Sequence, residues 1–190
     1  MSAGSGEVPA AFLEALRSLR AVRLRPEVRL AEVPGPGRIA PFSAALTGDV
    51  SAGPATEDLA SGRFVVLHDP AGQEAWEGTF RLVTFVRATL EAEVGADGLL
   101  AAVAWTWFSD AIADAGITPI AAGGTVTRVL SQSFGTLAAR PDEVEVEIRA
   151  SWTADGPDLG PHLQAWSTLL CTSAGLPPLP DGVVSLGARH

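Results

Sequence analysis

Lysine and tyrosine are absent from this chain, cysteine occurs once, and histidine three times in 190 residues. Each shortage removes a chemistry. All thirteen basic residues are arginines, which excludes Schiff-base catalysis, pyridoxal-phosphate anchoring and the lysine of a Walker A phosphate loop. The lone Cys171 can form neither an internal disulfide nor a paired-cysteine site. His68, His162 and the terminal His190 are far apart, and no His/Cys/Asp cluster has ligand spacing, so neither a metal nor a cofactor is expected. No apolar run approaches the ~20 residues that span a bilayer. The opening MSAGSGEVPA lacks the basic and hydrophobic regions of a signal peptide, so a cytoplasmic location without membrane association is expected.

What is present describes a folded core. Hydrophobic residues make up 47% and charged residues 18%, and the length suits one domain better than two. The formal net charge of -9 repels phosphate backbones and disfavours general nucleic-acid binding. One basic cluster, Arg17, Arg20, Arg23, Arg25 and Arg29, is diluted by Glu14 and Glu27 and reads as a solvated helix face and its exit.

Residues 1–8 read as a disordered tail, 9–176 as a single domain and 177–190 as a Pro-rich tail. Phe12, Leu16, Leu19 and Arg23 mark a first helix. PEVRLAEVP alternates between two prolines as a short edge strand. FSAALTGDV reads as a helical turn and SAGPATED as a mobile connector. GRFVVLHD and TFRLVTFVRATL read as a strand pair, followed by a helix beginning near Asp97, with Val103, Trp107, Phe108 and Ile112 as its stripe and Gly116 as its stop. GTVTRVLSQS and EVEVEIRASW form a second strand pair. Leu159, Leu163, Trp166 and Leu170 line a last helix that stops at Gly175. The fold class expected is α+β, a mainly antiparallel sheet of about five strands with helices on one face, in the order α-β-β-β-α-β-β-α.

The halves resemble each other. A shift of 62 places Gly62 on Gly124 and Arg87-Ala88-Thr89 on Arg149-Ala150-Ser151 without a gap, and AGITP finds a counterpart in AGLPP. This suggests a duplicated β-β-α unit, against the alternative that hairpins and Gly-Pro helix stops look alike anyway.

One segment, VLHDPAGQEAW, belongs to a single copy. His68, Asp69, Glu74 and Trp76 gather there as a candidate ligand site, with His68 as a general base and a carboxylate to orient it. The competing reading is a β-turn at Asp69-Pro70-Ala71-Gly72. Adjacent strand residues point to opposite faces, which separates His68 from Asp69. Trp76 is the one tryptophan expected to be exposed. AAGGTVTR lacks phosphate-loop spacing and runs into a strand, so it reads as a bulge or bend. Arg87 and Arg149, equivalent under the repeat, could together hold a carboxylate or phosphate, but Glu143, Glu145 and Glu147 favour cross-strand ion pairs. No catalytic set emerges. Val83 and Phe85 lie on the face opposite Leu82 and Val86, which implies cover by another part of the chain or by a second subunit.

RPEVRLAEVP, LHDPAGQEAWEGTFRLVTFVRA, AGGTVTR, EIRASWT and LCTSAGLPP are similar, in order, to the actinobacterial "domain of unknown function" family numbered three thousand, over about residues 10–178. The resemblance implies a cytoplasmic actinobacterial protein and carries over no catalytic residues. It also implies a partner connected with the neighbouring genes, for a ribonuclease D-like protein and haem-biosynthesis enzymes. The element order also looks like the small acidic secretion-chaperone fold, whose members are dimers. The expectation is a non-enzymatic binding or adaptor protein acting as a homodimer, with self or another protein as partner. The alternative is a small-molecule binder or hydrolase around His68, Asp69, Glu74 and Trp76.

Overall fold

The computed structural model describes residues 7–53, 57–91 and 97–178. Most of both expected tails, and part of the connector after Ser51, lie outside the described residues. The elements are α1 (Ala10–Ala21), β1 (Val28–Val33), β2 (Phe42–Ser51), β3 (Asp58–Gln73), β4 (Gly78–Leu90), α2 (Leu100–Asp114), β5 (Ile120–Ser131), β6 (Glu143–Ala154) and α3 (Gly160–Ser173). All strands join one antiparallel sheet in the order β1-β2-β3-β4-β6-β5, with β1 and β5 at its edges. The architecture is the α+β class expected, with six strands rather than five.

The extra strand is β2, at FSAALTGDV, where the sequence suggests a helical turn. Its run of alanines and serine gives little local β signal, but β1 and β3 offer a ladder on both sides, and ten residues take it. Its Gly48 has no side chain because Trp166 of α3 lies there; an added Cβ would sit 2.7 Å from the indole ring.

Strict alternation sorts the two faces of the sheet. Phe64, Val66, Phe80, Leu82, Val86, Val146, Ile148 and Trp152 are all nearly inaccessible and form the core with all three helices. Phe12, Ala15 and Leu19 bury one stripe of α1; Leu163, Trp166 and Leu170 bury most of α3. On α2 the buried stripe is Leu100, Ala104, Phe108, Ala111 and Ile112. Val103, expected in that stripe, is exposed, and Trp107 is only half-buried, because the sheet meets α2 about one position further round.

Both later helices end in the same way. Gly116 and Gly175 have φ of 69° and 74°, and the next residues, Ile117 and Leu176, donate back to the carbonyls of Ile112 and Cys171. These are Schellman stops, which glycine accommodates without the Cβ penalty of a left-handed residue.

β4 and β6 pair antiparallel with Val86 opposite Ile148, residues that the 62-position shift superposes. Leu82 pairs with Trp152 and Leu90 with Val144, a reciprocal exchange about that point. The outer hairpins keep parity but not register, since Gly62 pairs with Val86 whereas Gly124 pairs with Ala150 instead of Ile148. Each of these glycines makes room for a tryptophan from the opposite half. A Cβ on Gly62 would lie 3.0 Å from Trp166, and one on Gly124 would lie 2.7 Å from Trp105.

Candidate functional site

The segment 66–76 is not the turn its sequence suggests. β3 runs on to Gln73, which pairs with Gly78, and the chain reverses through a 3₁₀ turn at Glu74–Trp76 with Glu77 left-handed at φ 56°. Asp69–Gly72 instead form a four-residue bulge between the His68↔Phe80 and Gln73↔Gly78 pairs. The local chemistry explains it. Pro70 has no N–H for the ladder, Gly72 takes φ 73°, and the Asp69 carboxylate accepts from the Ala71 N–H at 3.0 Å and from Gln73 Nε2 at 3.1 Å. The β-turn expected at Asp69–Gly72 is therefore a bulge: these residues bend a strand instead of ending it, and the chain reverses later, at Glu74–Trp76.

The bulge leaves Thr79 alone opposite four residues, and its carbonyl accepts from His68 Nδ1 at 3.0 Å. That bond puts the proton of a neutral His68 on Nδ1. The ring stacks on Phe80 at 4.0 Å and on Phe12 at 5.9 Å, with Phe42 beside it, and only 2% of the residue is exposed. Nε2 is buried and unpartnered among the described residues. Trp76 lies on the other side of the sheet, against Ala45, Val65 and Leu67, and is buried where exposure was expected. Its carbonyl accepts from Thr153 Oγ1. Glu74 is exposed. The four groups therefore do not share a pocket: the imidazole is in the helix-covered core, the indole on the opposite face, and the carboxylates outside.

Arg87 and Arg149 do occupy the same face, and both are ion-paired. Arg87 meets Glu145, and Arg149 meets Glu147 at 2.9 Å while lying 5.1 Å over the Phe85 ring. Glu145 and its neighbours raise the pKa of Arg87 further, as expected for a guanidinium among carboxylates.

No helix of the described chain crosses this face. Its middle holds a shallow depression of about 560 Å³ lined by Arg63, Val65, Val83, Phe85, Gly124 and Arg149 among others. Val83 is 40% exposed. A bulge at Ala121–Ala122 on β5, with Ala121 at φ 48°, sends the Ala121 carbonyl to the Arg81 guanidinium at 2.9 Å. Ser151 and Thr153 complete the bonding of Arg81, which has no carboxylate partner among the described residues; burial lowers its pKa. Sequence reading placed Val83, Phe85 and Arg149 here and expected the β5 bulge. It missed Arg63 and Arg81, whose only signal is strand parity.

Among the described residues no group of three or more His, Cys, Asp or Glu could hold a metal, and no helix is long and apolar enough to cross a membrane. Residues 8–184 match the model of the family described as "Protein of unknown function (DUF3000)". The chain belongs to this family. No curated protein and no solved structure matches it significantly.

Proposed function

We propose that this DUF3000 chain is a non-enzymatic binding or adaptor protein that acts as a homodimer through its uncovered sheet face. The carrying observation is that β4 is apolar on both sides while the described helices cover only one, leaving Val83 exposed and Phe85 half-buried beneath Arg149. Charge supports a like partner. Arg87, Arg149, Glu145 and Glu147 lie together on that face, a mixed set that a second copy related by a twofold can complement without adding net charge to the contact. The setting is cytoplasmic in this reading, with Cys171 a buried thiol.

The test is sedimentation equilibrium of the full chain and of Val83→Glu. A dimer that Val83→Glu turns into a folded monomer, with unchanged circular dichroism, supports the proposal. A wild-type monomer at every concentration, or a dimer indifferent to Val83→Glu and Phe85→Glu, overturns it.

We also infer that β3-β4-α2 and β5-β6-α3 descend from one duplicated β-β-α unit. The Val86↔Ile148 pairing, the exchanged Trp–Gly contacts and the twin helix stops support this reading. A hydrolase or ligand site around His68, Asp69, Glu74 and Trp76 has little in its favour, because these groups point to different sides of the sheet.

A further inference from the structure

A second concavity lies on the helix-covered side, remote in kind from the open face. Between the C-terminal half of α1 and strands β1, β2 and β3 is a cavity of about 210 Å³. An engineered apolar cavity of about 150 Å³ holds a benzene molecule, so the space admits a branched or aromatic side chain. Its walls are Leu16 and Leu19 from α1, Leu30 from β1, Leu46 from β2, and Phe64 and Val66 from β3. Ala44 keeps it open, since a larger residue at this inward position of β2 would occupy the space.

Only two lining residues have polar side chains, and they carry opposite charges on opposite walls. Arg20 stands in the last turn of α1, and Glu32 on the edge strand β1. They form no ion pair with one another, and neither side chain has a hydrogen bond or an ion pair with any described residue. Of the neighbouring arginines, Arg25 is engaged by Glu27 and Arg29 by Asp58, whereas Arg17 and Arg23, like Arg20, have no ion pair with a described residue; Arg20 is the one that lines the cavity. An apolar pocket between one unpaired cation and one unpaired anion is complementary to a molecule with an apolar body and both charges at one end.

We propose that this cavity binds an apolar α-amino acid as its zwitterion, of the leucine or phenylalanine class. The side chain fills the space over Phe64 and Val66, the carboxylate meets the Arg20 guanidinium, and the ammonium group meets Glu32. A plain alkyl carboxylate has no group to offer Glu32, and an alkylamine none to offer Arg20. Only the zwitterion satisfies both banks of the mouth.

The experiment titrates the full chain with L-leucine and L-phenylalanine, with 4-methylpentanoate and isopentylamine as single-charge analogues, following methyl chemical shifts and calorimetric heat. Saturable binding of the amino acids is expected, with each analogue weaker by roughly three- to tenfold, as suits charge pairs at an exposed rim. Arg20→Gln should remove leucine's advantage over isopentylamine, and Glu32→Gln its advantage over 4-methylpentanoate. Ala44→Phe, which fills the cavity, should abolish binding of all probes. Because Ala44 packs against the core, the two exposed-charge variants decide independently of any effect of Ala44→Phe on folding. No saturable binding at millimolar concentration, analogues that equal leucine, or affinities unmoved by Arg20→Gln and Glu32→Gln would each overturn the assignment. None of these outcomes depends on whether the protein is a dimer.

Discussion

His162 shows how burial sets the chemistry of a single side chain. It is 7% exposed, and its Nδ1 accepts from the Trp152 indole N–H at 2.9 Å, which requires the neutral ring. Desolvation drives its pKa down to about 4 from 6.5, with Asp158 opposing weakly. The unfolded chain therefore binds the extra proton first, and the stability contribution is complete above about pH 6.5 and lost as pH falls toward 4. At ~1.4 kcal/mol per tenfold, the whole span is worth about 3 kcal/mol, and between pH 7 and pH 5 about 2 kcal/mol. Urea denaturation at those two pH values should show that loss in wild type and a flatter response in His162→Gln. With three phenylalanines around the ring and one hydrogen bond to a carbonyl, His68→Phe should remain folded, within about 1 kcal/mol of wild type in the same assay. Gly124 is less tolerant. A Cβ there would meet both the Arg149 carbonyl and Trp105, so Gly124→Ala should cost about 1–3 kcal/mol.

At the scale of elements, local chemistry is a good guide where an element ends locally and a poor one where its partner decides. The stops of α2 and α3 were legible because a glycine followed by an apolar residue and proline has few other uses. Gly175→Ala should lower stability by about 1–2 kcal/mol, the cost of forcing a side chain to φ 74°, measurable as a fall in thermal midpoint. Three other features were not legible. β2 forms because two neighbours offer hydrogen bonds, not because its residues ask for a strand. The Asp69–Gly72 bulge and a β-turn draw on the same residues, and the choice belongs to the register that Gln73 and Gly78 make beyond it. Val103 and Trp107 were placed a position away from the true stripe of α2, since helical periodicity gives a stripe but the sheet chooses its centre.

For the whole molecule, the sheet order predicts a gradient of stability. β4 and β6 are paired on both sides and covered by α2 and α3, whereas β1 and β5 have one free edge, and most residues of β5 are exposed. Hydrogen exchange followed by mass spectrometry should find the slowest amides in β4 and β6 and the fastest strand amides in β1 and β5. Equal protection of β5 and β6 would mean that the β5 edge is itself paired in solution.

The sequence by itself determined the fold class, the inward residues of most strands, the two later helices and their stops, and the family. The family rests on likeness over residues 8–184, and the rest on period, parity and turn chemistry, which act over a few residues. Tertiary structure alone decided that His68 and Trp76 part to opposite faces, that Val83 and Phe85 stay uncovered by the described helices, and that Arg20 and Glu32 face one cavity. The physical reason is that those placements depend on strand register and on how far a helix stands from the sheet, and both are set by contacts between residues distant along the chain.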